Sequence, residues 1–446
     1  GICIYQGDQF PAEYQGHVFM GNIHQNAINH DRLIPNGASF KAVAEKDFLT
    51  TSDGWFRPIS EQVGPDGALW IADWCDKYPC YQNAQADPEG VDREMGRIWR
   101  IVWVGDQPGK AVPSRPQPDM NLARLSTEEL AGLLDHNNNW QQRQAQRLIA
   151  ERQDPKLTRT FHYRESKIHQ LAKSGRTPAV RLAAIWTLHC AGALEEELME
   201  DFVKDPAPSV RAWVARLIGE RGYPFGYSMK QLARLALDKD DSVRLAVATA
   251  ARQFNSGALT VDTPPSIPLS EVVMGGVLSE LQKSPYDKND PVLPFVIWMA
   301  LEPLIAFDAA HALDYYRNAR DSAESEWPMN PYILTRIMRR VCDLNEPAVR
   351  EQNLNLAMEI LGSVATETKL ANAALDGLIA SFKSKAAPPT IDLKPIFAKL
   401  NANPAIADKS RRLATLLGDT SAARALLAKI NDTAASLEER LKGIQA

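Results

Sequence analysis

The residues of this chain best suited to chemistry lie in its first quarter. His24 and Asn26, in Asn22-Ile23-His24-Gln25-Asn26, close a run of alternating apolar residues and so stand at the end of a predicted strand. A histidine titrating near neutral pH can take a proton from a hydroxyl group, which makes His24 the candidate base. Asp53, Trp55 and Arg57, in Asp53-Gly54-Trp55-Phe56-Arg57-Pro58, set a carboxylate, an aromatic face and a guanidinium just ahead of another predicted strand. Such a set can hold a sugar or the carboxylate of a quinone. Each group also has a plainer reading. His24 could be a loop or core histidine bonded to backbone, and Arg57 could pair with Asp53 in a structural turn while Trp55 fills an interface. The candidates are therefore His24, Asp53 and Arg57 for catalysis and Asn26, Trp55 and Arg57 for cofactor binding, with no metal ligands assigned.

Other groups are weighed and set lower. Asp66 and Asp73 flank a hairpin, and Asp76, Asp87, Glu89 and Asp92 crowd the following loop. Oxygen ligands could hold calcium there, but the spacing is not that of a calcium loop, and a solvated acidic loop is the better expectation. Five cysteines are an odd number, so they cannot all pair within the chain. Only Cys75 and Cys80 lie close together, where a loop disulfide could form in an oxidising compartment. No Cys-x-x-Cys-His, no glycine-rich phosphate loop and no Gly-x-Ser-x-Gly elbow occurs.

The elements that must position these groups follow from hydrophobic period. Up to Val104 the apolar residues alternate, with strands expected at His17 to Ile23, Pro58 to Val63, Ala68 to Trp74 and Arg97 to Val104. Gly64-Pro65-Asp66-Gly67 predicts a hairpin between the second and third of these. Regular short strands suit a sandwich, a barrel or a propeller alike. Pro108, Pro113, Pro116 and Pro118 then mark a stiff linker over 105–120.

Beyond the linker the period becomes helical. Ser126-Thr127-Glu128-Glu129 has capping-box spacing ahead of Leu130, Leu133 and Leu134. Val180-Arg181, Val210-Arg211 and Val243-Arg244 recur at one register, with Arg143 fitting it too. Each unit predicts a pair of amphipathic helices whose stripe, such as Val210, Trp213, Val214, Leu217 and Ile218, is buried only against neighbours. The repeated arginines are expected to pair with carboxylates of adjacent units, and Trp186, Trp213 and Trp298 to be core. Thr177-Pro178 and Asp241-Ser242 supply helix-start chemistry. The helical part divides into repeats over 121–255 and further helices over 256–446, continuing through Leu269 to Leu281, Val349 to Leu361 and Leu370 to Phe382.

Composition agrees with a globular chain of two or three units: 446 residues, 45% apolar and 24% charged. A net charge of -5 leaves no broad cationic surface for nucleic acid. The most apolar stretch, Val292 to Phe307, is interrupted by Pro294, Glu302 and Pro303. It is shorter than the roughly 20 residues of a membrane span and reads as a buried helix.

Four strings in order are more specific than any period: Gly7-Asp8-Gln9-Phe10-Pro11, Asp53 to Pro58, Gly64 to Trp74, and Gly96-Arg97-Ile98-Trp99-Arg100-Ile101. Together they resemble the bacterial PVC-type haem-binding CxxCH proteins, also labelled putative membrane-bound dehydrogenases. In that family a propeller related to the glucose/sorbosone dehydrogenases precedes HEAT repeats and a cytochrome c domain. Asn289 to Pro294 and Leu301-Glu302-Pro303-Leu304 extend the likeness into the helices. The resemblance implies a multidomain β-then-α architecture, in which the last blades of a β-propeller (1–104) lead into an α–α superhelix of HEAT-like repeats. It implies an exported, periplasmic dehydrogenase acting on a sugar or alcohol, with PQQ and calcium as cofactors and haem c on a further domain. The other expectation is a non-catalytic scaffold that binds a glycan on the propeller or a protein partner on the solenoid.

Overall fold

The structure is a computed structural model. It describes residues 1–78, 85–86, 94–105, 119–154, 166–221, 227–256, 277–278, 280–282, 290–307, 309–310, 331–343, 347–382, 389–438 and 440–441. Antiparallel strands come first and helices after them. The chain forms two compact units, Gly1–Val210 and Arg211–Ala446.

In the first unit one sheet runs β1 (Ile2–Ile4), β2 (Val18–Asn22), β3 (Ala27–Asn36), β4 (Ser39–Ala44), with β5 (Leu49–Thr50) pairing the start of β3. The second sheet is the meander β6 (Pro58–Val63), β7 (Leu69–Asp73), β8 (Arg97–Ile101). The predicted hairpin joins β6 to β7: Gly67 donates to the Gly64 carbonyl at 3.0 Å with φ of 78°, a conformation that favours glycine. Alternate residues of the strands turn inward, as period two requires. Tyr5, Phe10, Phe19, Ile28, Phe56, Leu69 and Ile71 form one buried cluster. Tyr5 ties this core together, stacking on Phe10 at 4.5 Å while its hydroxyl donates to the Gly67 carbonyl at 2.8 Å.

The helices of this unit are α1 (Thr127–Leu133), α2 (Asn139–Arg152), α3 (Lys167–Ser174), α4 (Pro178–Cys190) and α5 (Glu196–Phe202). The capping box at Ser126 and Glu129 forms, and Thr177 caps α4 with Pro178 in its first turn. Asn138, the cap of α2, is fully buried because its amide donates to the Gly64 and Pro65 carbonyls of the hairpin at 2.9 and 3.1 Å. Sheet and helices thus share one unit. The intervening residues 106–118, where the linker is expected, lie outside the described residues.

The second unit begins within α6 (Pro208–Arg221) and continues with α7 (Tyr227–Ala236), α8 (Asp241–Ser256), α9 (Leu293–Phe307), α10 (Pro331–Cys342), α11 (Pro347–Val364), α12 (Thr368–Ser381), α13 (Lys394–Asn401), α14 (Ala407–Leu416) and α15 (Thr420–Asn431). Packing runs α8 on α9, α9 on α10, α10 on α12 and α12 on α14, while α11 packs on α13. From α10 onward alternate helices pack on one another, α10 on α12 on α14 and α11 on α13. Val214, Leu217 and Ile218 are each 1% exposed, and burying such a side chain contributes about 1.5–3 kcal/mol. Trp186, Trp213 and Trp298, expected in the core, are only partly buried. Asp240, rather than Asp241 or Ser242, does the capping of α8: its carboxylate accepts the Ser242 amide at 2.9 Å. Among the described residues no helix is long and apolar enough to cross a membrane.

Candidate functional site

The nominated residues are carried on two turns. Asn22 closes β2, and its side-chain carbonyl accepts the His24 and Gln25 amides, each at 3.1 Å. This folds the short connection back toward β3 and ends it at Asn26, whose φ of 53° is left-handed. The second turn runs from Asp53 to Arg57: Asp53 accepts the Trp55 amide at 2.9 Å, and Phe56 donates to the Asp53 carbonyl at 3.2 Å.

Arg57 reaches from the second turn to the first. Its guanidinium bonds the side-chain carbonyl of Asn26, the Phe56 carbonyl at 2.8 Å and the Lys77 carbonyl. It is only 5% exposed. Asp53 does not pair with Arg57 directly, contrary to the turn reading. Its partner is Arg97 of β8, at 2.5 Å.

Arg97 leads to the residue that organises the site. Asp73, at the end of β7 and 3% exposed, accepts four N–H groups: the Arg57 and Cys75 amides at 2.7 and 2.9 Å on one oxygen, and Arg97 Nε and Trp99 Nε1 at 2.7 and 2.8 Å on the other. Register explains this, because Asp73, Arg97 and Trp99 share the face of the meander that carries Leu69 and Ile71. Arg97 also lies 5.2 Å from the Trp99 ring centre. Two carboxylates and two guanidiniums balance, so the cluster carries no net charge. The Trp55 amide and Arg97 hold the Asp53 carboxyl below the ordinary carboxylate range. Burial opposes the charge on Arg97, but its bonds to Asp53 and Asp73 outweigh that and raise its pKa.

The cluster thus joins Asn26, Asp53, Trp55 and Arg57. His24 is not among the groups this network connects; its ring is exposed, and its amide serves the Asn22 turn. Sequence reasoning passed over Arg97 and Trp99 as site residues and weighed Asp73 only as one carboxylate of an acidic loop. The available signal was β-strand alternation, which sets Asp73 in phase with the buried Leu69 and Ile71. The expectation of a solvated acidic loop is corrected for two of its members, since Asp73 and Asp66 are buried and bonded. Asp66 pairs with Arg100, and its side chain is 2% exposed. Asp87, Glu89, Asp92 and Cys80 lie outside the described residues.

The groups the resemblance implies were tested against these donors. Calcium needs carboxylate oxygens that face a cavity, whereas both oxygens of Asp73 already accept two N–H groups each. A tricarboxylate quinone such as PQQ needs open guanidinium edges, whereas Arg57 Nη1 and Nη2 and Arg97 Nε and Nη1 are turned to protein acceptors, and the unpartnered Arg57 Nε and Arg97 Nη2 are buried. The cluster fits neither group. Among the described residues no set of three or more histidine, cysteine, aspartate or glutamate side chains is placed to hold a metal ion. A separate cleft of about 650 Å³ opens between β1, β6 and α2, with Glu61, Asn139 and Arg143 on its walls. Burial pushes the Glu61 carboxyl up.

Residues 1–104 match a family described as a domain of unknown function, DUF7133. Comparison with curated proteins finds no match. The matched span covers the eight strands among the described residues and ends where the proline-rich stretch begins.

Proposed function

We propose that this chain is the ligand-holding and scaffolding part of an exported, periplasmic oxidoreductase similar to quinone-dependent sugar and alcohol dehydrogenases. On this reading the two sheets are closing blades of a β-propeller, and the helices continue as HEAT-like repeats that hold a protein partner. Haem c and the electron acceptor belong to a further domain.

The observation that carries the proposal is the Asp73 network, which fixes Trp99 by its indole N–H and leaves it 41% exposed beside a half-open Asp53. A rigid, neutral rim with an aromatic surface and a hydroxyl acceptor suits an uncharged, polyhydroxylated ligand. Calorimetric titration of the full-length protein with a panel of sugars and alcohols tests this. Saturable binding that Trp99→Ala abolishes is the expected result, and no binding across the panel overturns it.

A second reading, oxidation of the ligand at this same cluster, draws on the convergence of Asn26, Asp53 and Arg57. It predicts that the full-length protein reduces an artificial dye when given the ligand, and that Arg57→Ala abolishes this. Binding without turnover would leave the first reading standing alone.

A further inference from the structure

His17 and His30 take no part in the Asp73 cluster, and their rings meet each other. Nδ1 of His17 lies 2.8 Å from Nε2 of His30. A hydrogen bond between two imidazoles needs a donor on one ring and a lone pair on the other. It persists with the pair neutral or singly charged. With both rings protonated, both nitrogens are donors and two cations face each other, so the contact must open.

The pair joins three pieces of chain. His17 immediately precedes β2; its carbonyl accepts the Tyr5 amide at 2.8 Å, and its own amide donates to Tyr14 at 3.1 Å. Tyr14 ends the 3₁₀ turn Ala12–Tyr14. His30 stands in β3 opposite Phe19, and its carbonyl accepts the Glu45 amide at 2.9 Å. Aromatic rings line the contact: Tyr14 stacks on His30 at 5.9 Å and meets His17 edge-on at 6.2 Å, and Phe19 lies 5.1 Å from His30. Such surroundings solvate a second charge poorly.

Burial and then the His17 ring push His30 below its ordinary value of 6.5. Opposing them are Glu45 and Asp31 and a hydrogen bond at the Lys46 backbone. Glu45 is already engaged by Arg32 at 3.0 Å, and the Tyr14 phenol ring packs against both imidazoles.

We propose that His17 and His30 form an acid-sensitive latch: with at most one proton between them they hold β1 and the 3₁₀ turn onto the β2–β3 hairpin, and a second proton releases both. The sign follows from linkage. A histidine with a depressed folded pKa contributes stability above its unfolded value, and that stability is lost as pH falls below about 6.5. Uptake of one proton shifts the opening equilibrium by up to about tenfold per pH unit.

Hydrogen exchange of the full chain, corrected for intrinsic rates, reads this at the Tyr5, Gly16 and His17 amides. Protection in the wild type is expected to fall by up to about fivefold between pH 6.5 and 5.5, with little change in the second unit. His30→Gln removes one titrating ring and should flatten that dependence. Equal protection of the wild type at both pH values, or an unchanged acid response in His30→Gln, overturns the latch. Should the variant fail to fold, imidazole NMR of the wild type decides: two rings titrating independently at ordinary values overturn it, and two coupled steps support it.

Discussion

Asp73 accepts the backbone amide of Arg57 at 2.7 Å while the Arg57 carbonyl accepts the Trp74 amide at 2.9 Å, so a side-chain bond and a backbone bond together start the β6–β7 ladder. The next residue, Pro58, has no N–H to give, and the register shifts between Pro58 and Ser60. The carboxylate bridges this irregular edge. At the same time it fixes the turn that carries Asp53, Trp55 and Arg57.

Replacing that carboxylate should therefore loosen the whole cluster. Asp73→Ala strands four N–H donors, including a guanidinium, and should cost about 3 kcal/mol by urea denaturation. Asp73→Asn keeps one acceptor oxygen and should cost less, since its amide clashes only with the donors on one side. Equal, negligible losses for both would show that the network does not stabilise the sheet.

The grip of helix α2 on the hairpin gives a separate prediction. Asn138→Ala removes the donor to Gly64 and Pro65 and the cap that accepts the Trp140 amide at 3.0 Å. A loss of about 2 kcal/mol is expected. Gln141, which also donates to the Pro65 carbonyl at 3.0 Å, should couple to Asn138 in a double-mutant cycle. Strict additivity would mean that the two side chains hold the hairpin independently.

Acid should weaken the second unit through its arginine pairs. Arg211 grips Asp238 with bonds of 2.6 and 2.8 Å. Burial disfavours the Asp238 carboxylate, yet the Arg211 bonds prevail and hold its pKa below the ordinary 3.8. A depressed carboxyl stabilises the fold above its unfolded pKa, and that contribution disappears as pH falls through the folded value. Asp238→Asn should thus lower stability at pH 7 but differ little from wild type well below pH 3.8. Thermal melting of both proteins across that range checks the crossing.

How much of this was legible beforehand depends on the range of each interaction. The meander strands, the Gly64–Gly67 hairpin, the Ser126 box and the Thr177 cap are set by residues a few positions apart, so local pattern finds them. The β3–β4 hairpin was not among the expected elements, although Gly37 opens its two-residue loop with φ of 58°, a conformation that favours glycine. Its register pairs Asn36 with Ser39.

The amino-acid order by itself determined a β-rich start, a helical remainder and arginines that repeat at one helical register. Backbone period and capping are properties of neighbours in the chain. Only the tertiary structure decided which charges meet: Arg97 is 24 residues from Asp73 and 44 from Asp53, and the Arg57 guanidinium reaches 31 residues back to Asn26. Such pairings are chosen by sheet register and by the cost of burying a charge without a partner, and neither is encoded in any short string.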